Sequence, residues 1–169
     1  MRRPRAKPAS RRETSDAPAR RSRSKTNCIH VEVTSRQTLL KIRPARVRAA
    51  VQLVLRDEGV QAAAVEVALV NDATIQEVHR RFFGSDTPTD VITFPLNEPN
   101  EPLAGEIVVS VETALREGPR HRLAPADEVL LYAIHGTLHL CGYDDHRAAD
   151  ARKMQQRQSE LLGLIRSGV

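Results

Sequence analysis

The chain has 169 residues, with 26 Lys and Arg against 21 Asp and Glu, two cysteines and no tryptophan. That length fits one domain with a real hydrophobic core, and two cysteines exclude a disulfide scaffold and suit a reducing cytosol. No apolar run approaches the roughly 18 residues of a membrane span, and no apolar stretch follows the basic start as a secretory signal requires.

Residues 1–26 hold ten Lys and Arg and two acids, Glu13 and Asp16, so they carry +8. Residues 27–169 hold sixteen Lys and Arg and nineteen acids, so the body carries −3. The basic character therefore belongs to the tail. Its Pro, Ser, Ala and Arg, with no bulky apolar residue beyond Met1, cannot offset the entropy of ordering, which predicts disorder. Such a tail is either a solubilising arm or a nucleic-acid-binding arm. A mitochondrial presequence is a third reading, weakened by the missing apolar face.

The body begins with an alternating, β-rich run at 28–34, a strand. Pro44 starts a helix that carries Val47, Val51, Val54 and Leu55 on one face and ends at Gly59. A second strand covers 63–70. Residues 71–83 form a helix capped by Asn71 or Asp72, with Ile75, Val78 and Phe82 at apolar spacing. A short strand at 90–94 sits between Pro88 and Pro95, and 97–105 reads as a turn-rich loop. A fourth strand at 105–111 leads to a short helix at 112–117. The most apolar helix is 125–141, with Pro125 near its first position and Asp127 and Glu128 suited to its positive end. Gly142 closes it. Residues 147–164 form a last amphipathic helix through Ala151, Met154, Leu161 and Leu162. Strands and helices mix without strict alternation. The expected fold is therefore a single α+β domain over 27–169, with a four-stranded mixed sheet and a metal-binding helix near the C-terminus.

The stretch "HGTLHLCGYDDH" (135–146) holds three of the six histidines. Residues four apart lie on one helix face, about 6 Å along the axis, so His135 and His139 can share one metal ion. Gly142 can turn the chain so that His146 adds a third nitrogen. Three neutral ligands leave an open position, the pattern of a catalytic zinc rather than a structural one. The bland alternative is a pair of ordinary helix histidines; the third His and the glycine turn favour metal. Cys141 lies one residue off the histidine face and reads as a packed thiol. A bridge to Cys28 is not expected.

Metalloproteases carry H-E-x-x-H with the Glu as base. Here the second position is Gly136, so the metal face remains without the proteolytic base. Asp144 and Asp145 are candidates to orient ligands or relay protons; they could equally cap the loop. In "TPTDVITFP" (87–95), Thr89 and Asp90 either orient groups at the site or cap a turn.

Three stretches together, "PTDVITFP" (88–95), "GEIVVS" (105–110) and "HGTLHLCGYDDH" (135–146), resemble the YbeY family of bacterial metal-dependent endoribonucleases, rRNA maturation factors. The resemblance covers about residues 28–165. It implies one zinc per chain bound by His135, His139 and His146; His135, Asp90 and Asp144 are then the catalytic candidates among the residues singled out above. It also implies cleavage of single-stranded RNA in 16S rRNA 3′-end maturation and ribosome quality control. The partner is then the small ribosomal subunit, and the compartment the cytoplasm. The sequence departs from the family twice. Asp145 expands the usual G-Y-D-H to "GYDDH", and taking His146 as ligand keeps the turn with one extra residue. Phe83 stands where relatives usually carry an arginine; Arg80 and Arg81, one turn earlier, are the available substitutes. The competing readings are another metal-dependent hydrolase, such as a peptidase, and a non-catalytic ribosome-assembly factor with a structural metal.

Overall fold

Alternation of apolar residues with polar or small ones builds the first two strands, and Pro44, Gly59 and Gly84 set ends of the first two helices. In a computed structural model, which describes residues 28–168, the order is β1 (Cys28–Ser35), α1 (Pro44–Asp57), β2 (Ala62–Val70), α2 (Asp72–Phe83), β3 (Val91–Pro95), β4 (Leu103–Ser110), α3 (Val111–Glu117), α4 (Pro125–Leu140) and α5 (Ala148–Arg166). The disordered basic tail expected over 1–26 lies outside the described residues. No helix among the described residues is long and apolar enough to cross a membrane.

The four strands make one sheet in the order β1-β2-β4-β3. β1, β2 and β4 run parallel and β3 is antiparallel to β4, so the fold is a single α+β domain with a mixed sheet. The two-residue period of a strand sends alternate side chains to opposite faces. Val65, Val67 and Leu69 of β2 join Ile107 and Val109 of β4 in the main core, which α1, α4 and α5 complete. Val70 and Val108 point the other way and pack with Ile75 and Ile92 in a smaller cluster under α2. Strand β4 starts at Leu103, within the expected loop, because Leu103 and Ala104 pair with Ala63 and Ala64 of β2.

The apolar face expected for α1 is buried as read, through Val47, Val51, Val54 and Leu55. Phe82 is not: it belongs to the spacing that buries Ile75, yet it is 59% exposed. Asp127 and Glu128 of α4 are buried rather than merely facing the helix dipole. Arg46 holds Asp127 at 2.7 Å, and the His121 ring nitrogen lies 2.8 Å from Glu128.

Helix α2 is fastened at its start. Asn71 caps it by accepting from the Thr74 amide. Asp72, in its first turn, accepts from the Ser110 and Thr113 hydroxyls and from Arg116. The Asp72 amide donates to Glu112 at 3.1 Å. Burial alone would raise the Asp72 carboxyl, but the hydrogen bonds from Ser110, Thr113 and Arg116 together outweigh it and hold it below its ordinary range. This network joins α2 to the β4–α3 junction, two segments about forty residues apart in sequence.

Candidate metal centre

Helix α4 is buried on nearly every side; Leu130, Ile134 and Leu138 are fully buried. Each such side chain contributes on the order of 1.5–3 kcal/mol. Beyond the first turn, Leu131, His135 and His139, four residues apart, are the half-exposed stripe along its length. The helix approaches the sheet closely at Gly136. A Cβ there would lie 2.8 Å from Ile107 Cγ2 and 2.8 Å from Thr93 Oγ1. That contact fixes which way the neighbouring His135 points.

The C-terminus of α4 orients the second histidine. Gly142 has φ +94°, and its amide bonds to the His139 carbonyl while the Tyr143 amide bonds to Leu138 at 3.0 Å. This is a Schellman ending, which needs the left-handed residue that glycine supplies. It brings the Tyr143 carbonyl to His139 Nδ1, 3.0 Å away. A carbonyl can only accept, so Nδ1 carries a proton, and in the neutral ring that leaves Nε2 a lone pair. His135 Nδ1 faces Gln158 Oε1 of α5 at 3.2 Å, with the same consequence. The two Nε2 atoms then face one another at 2.9 Å. Two lone pairs opposed at that distance repel, and a cation beside both relieves the opposition. Two imidazole nitrogens on one tetrahedral zinc stand about 3.3 Å apart, so the pair fits an ion with only a small opening.

The third donor that the structure brings to this pair is Asp145. Its Oδ2 is 3.7 Å from His135 Nε2 and 3.9 Å from His139 Nε2. These three ligand atoms form one set that could hold a metal ion. His146, the expected third ligand, lies outside that set and groups with Asp144 and Asp145. Its side chain is 89% exposed, with Nε2 3.7 Å from Asp144 Oδ1. The loop between Gly142 and α5 bends at His146 and Arg147, where the His146 amide folds back onto Asp144 Oδ1. With Asp145 turned inward, His146 turns out to the rim. The adjacent acid in "GYDDH" was the one signal in sequence for this; Gln158, 23 residues from His135, had none.

His135, His139, Asp144, Asp145 and His146 all line one open cavity of about 500 Å³, whose other wall includes His79, Phe83 and Thr89. The His146 amide bonds to Asp144 and holds its carboxyl below the ordinary range. Asp90, a catalytic candidate by sequence, is not on the cavity wall. Its Oδ1 accepts from the Thr89 hydroxyl and the Val91 amide, both at 2.9 Å. It therefore caps the turn into β3 and holds Thr89, which does line the cavity. Arg80 is paired with Glu77 at 2.7 Å.

Both cysteines are free thiols; Cys28 is exposed and Cys141 half-buried. Burial, then the nearby Glu58 charge, pushes the Cys141 thiol up to about 11. It is therefore a packed thiol at neutral pH, not a thiolate. Iodoacetamide should alkylate Cys141 roughly tenfold or more slowly than Cys28, because the thiolate is the nucleophile. Mass spectrometry of a neutral-pH time course reads this, and equal rates would contradict it.

A profile of the family described as endoribonuclease YbeY matches residues 32–166. Among curated proteins, the chain is similar to the endoribonuclease YbeY of Anaeromyxobacter sp., with 42% identity over 70% of this chain and 62% of that protein. It is also similar to the endoribonuclease YbeY of Moorella thermoacetica, with 43% identity over 62% of this chain and 75% of that protein. The endoribonuclease YbeY of Geobacter sulfurreducens is 32% identical over 82% of this chain and 97% of its own length. The chain thus spans less than two thirds of the first relative and nearly all of the third. Among solved structures, a Thermotoga maritima protein determined in solution superposes with a TM-score of 0.60. It is 26% identical and covers 80% of this chain and 88% of its own.

Proposed function

The chain belongs to the YbeY endoribonuclease family, and from that premise we propose that it is a zinc-dependent endoribonuclease acting on single-stranded rRNA. The proposed setting is 16S rRNA 3′-end maturation and ribosome quality control, on the small ribosomal subunit in the cytoplasm. The observation that carries this reading is the convergence of two imidazole Nε2 atoms and a carboxylate oxygen on one open cavity. Two imidazoles and one carboxylate are a donor set that zinc accepts while keeping a position open. A divalent ion bound there supplies Lewis-acid polarisation of a phosphoryl oxygen and lowers the pKa of water beside it.

The protein's own groups do the rest. His135 and His139 are locked in one tautomer by Gln158 and by the Tyr143 carbonyl, so their lone pairs stay aimed at the ion. Asp145 supplies the third donor, and His146 is its competitor for that position. Asp144, held ionised, is placed to accept the proton of the attacking hydroxyl. Asp90 is a positioning residue that acts through Thr89. The ten Lys and Arg of residues 1–26 add attraction for a polyanion that the net-negative body lacks.

The test compares zinc-loaded protein, the metal-free form and the His139→Ala variant on a single-stranded rRNA fragment and on its duplex. The loaded protein should cut the single strand. Removing the metal or His139 should slow cutting by on the order of a hundredfold or more. Cleavage at an undiminished rate without metal would overturn the reading. So would metal-dependent cleavage of casein, which requires the base that H-E-x-x-H proteins carry at the position of Gly136.

A further inference from the structure

Aromatic side chains are scarce in this chain: three Phe, two Tyr and no Trp. All three Phe meet at one place. Phe82 lies edge-on to Phe94 with ring centres 5.0 Å apart, and Phe83 stacks on Phe94 at 6.0 Å. Phe94 packs against the small core under α2, which gives Phe82 a packing partner. Phe83 is different. It is 58% exposed and lines the cavity that holds His135 and His139. The His79 ring stands 5.7 Å from it, also on that wall. A large exposed aromatic at the last turn of a surface helix is not required by folding. Beside it, Arg81 carries its guanidinium 5.5 Å from the Phe82 ring centre. Among the described residues Arg81 is in no ion pair, unlike Arg80, which Glu77 holds.

We propose that Phe83, flanked by His79, is a stacking site for an unpaired nucleobase of the RNA strand, with Arg81 facing an adjoining phosphate. This rests on the nuclease reading and adds to it the part that recognises the strand. Every base has a π-face, so a phenyl ring accepts any base. It offers no hydrogen bond, so it selects for a base free of its stack, not for a sequence. Bases inside a duplex are closed to it. An arginine added beside the ring supplies the backbone charge contact that single-strand binders combine with stacking. The single-strand preference would then come from the wall opposite the metal ligands, and not from the metal ligands themselves.

The experiment uses zinc-loaded full-length protein and a labelled 2′-O-methyl oligoadenylate, an abasic strand of the same length and a duplex. Phe83→Ala should weaken binding of the oligoadenylate by roughly five- to hundredfold and leave the abasic strand unchanged. Because the chain has no tryptophan, Phe83→Trp installs its one tryptophan at the site, excited selectively over the two tyrosines. That variant should keep its affinity, and its emission should be quenched by the oligoadenylate but not by the abasic strand. Zinc content should match the wild type in both variants. Unchanged affinity in Phe83→Ala, an equal loss for abasic and base-bearing strands, or a tryptophan blind to the oligoadenylate would each overturn the proposal. So would a change of oligomeric state by light scattering with RNA affinity intact, which would make the patch a contact between copies. A wild type that bound no single strand at all would overturn the nuclease reading as well.

Discussion

His139→Ala should lose its metal: elemental analysis after dialysis is expected to read close to one zinc per wild-type chain and almost none in the variant. Even partners that only orient a ligand change metal affinity about 10–100-fold, so removing a ligand should cost at least about a hundredfold. Asp145→Ala should behave the same way, because its Oδ2 is the third ligand atom grouped with the two Nε2 atoms. His146→Ala should keep most of the zinc, since its side chain stands at the rim. Gln158→Ala should fall between, at about tenfold, because it frees His135 Nδ1 without removing a donor. The order is what carries weight. If His146→Ala emptied the site and Asp145→Ala did not, the ligand set would be the three histidines implied by the resemblance.

Asp72→Ala is expected to destabilise the fold by about 2–3 kcal/mol, the range for losing hydrogen bonds to a charged group. The side chain unites Ser110, Thr113 and Arg116, and truncation strands the buried hydroxyls of Ser110 and Thr113. Arg116 is nearly half exposed, so its ion pair adds little of this. Asp72→Asn should recover part of the loss by keeping one acceptor. The pH dependence follows from the lowered carboxyl. The unfolded chain takes up its proton at a higher pH than the folded one. The stabilisation is therefore complete above about pH 4, the ordinary Asp value, and disappears as pH falls through the folded value. Urea unfolding of wild type and Asp72→Asn at descending pH should show their gap closing in that window. A gap that widened toward acid would refute the account.

Most of the architecture was legible because it depends on short-range pattern. Val47, Val51, Val54 and Leu55 at helical spacing, and Val65, Val67 and Leu69 at strand spacing, announce which faces are buried. The spacing of His135 and His139 was legible for the same reason. What escaped depends on partners distant in sequence. Leu103 and Ala104 look like loop until β2 offers them a parallel neighbour. Phe82 shares the apolar register of α2, but it meets Phe94 of β3 only edge-on and stays exposed. Asp127 and Glu128 look like charges for a helix start, and the partners that meet them, Arg46 and Arg166 at Asp127 and His121 at Glu128, come from elsewhere in the chain. Asp145 and His146 are adjacent in the loop, and only the folded backbone brings the Asp145 carboxylate, rather than the His146 ring, beside His135 and His139.

The tight approach at Gly136 also limits what this helix can become. Metallopeptidases of the H-E-x-x-H kind need a carboxylate at the residue following the first ligand. In this chain a Cβ at that residue would meet Ile107 and Thr93 at 2.8 Å, so Gly136→Glu would drive a side chain into the sheet rather than toward His135 and His139. Two such contacts cannot yield together without moving β3 and β4. The packing of the helix on the sheet thus closes this position to a carboxylate, and the opposite wall of the cleft, with His79, Phe83 and Thr89, is the side where a side chain can change without disturbing that contact.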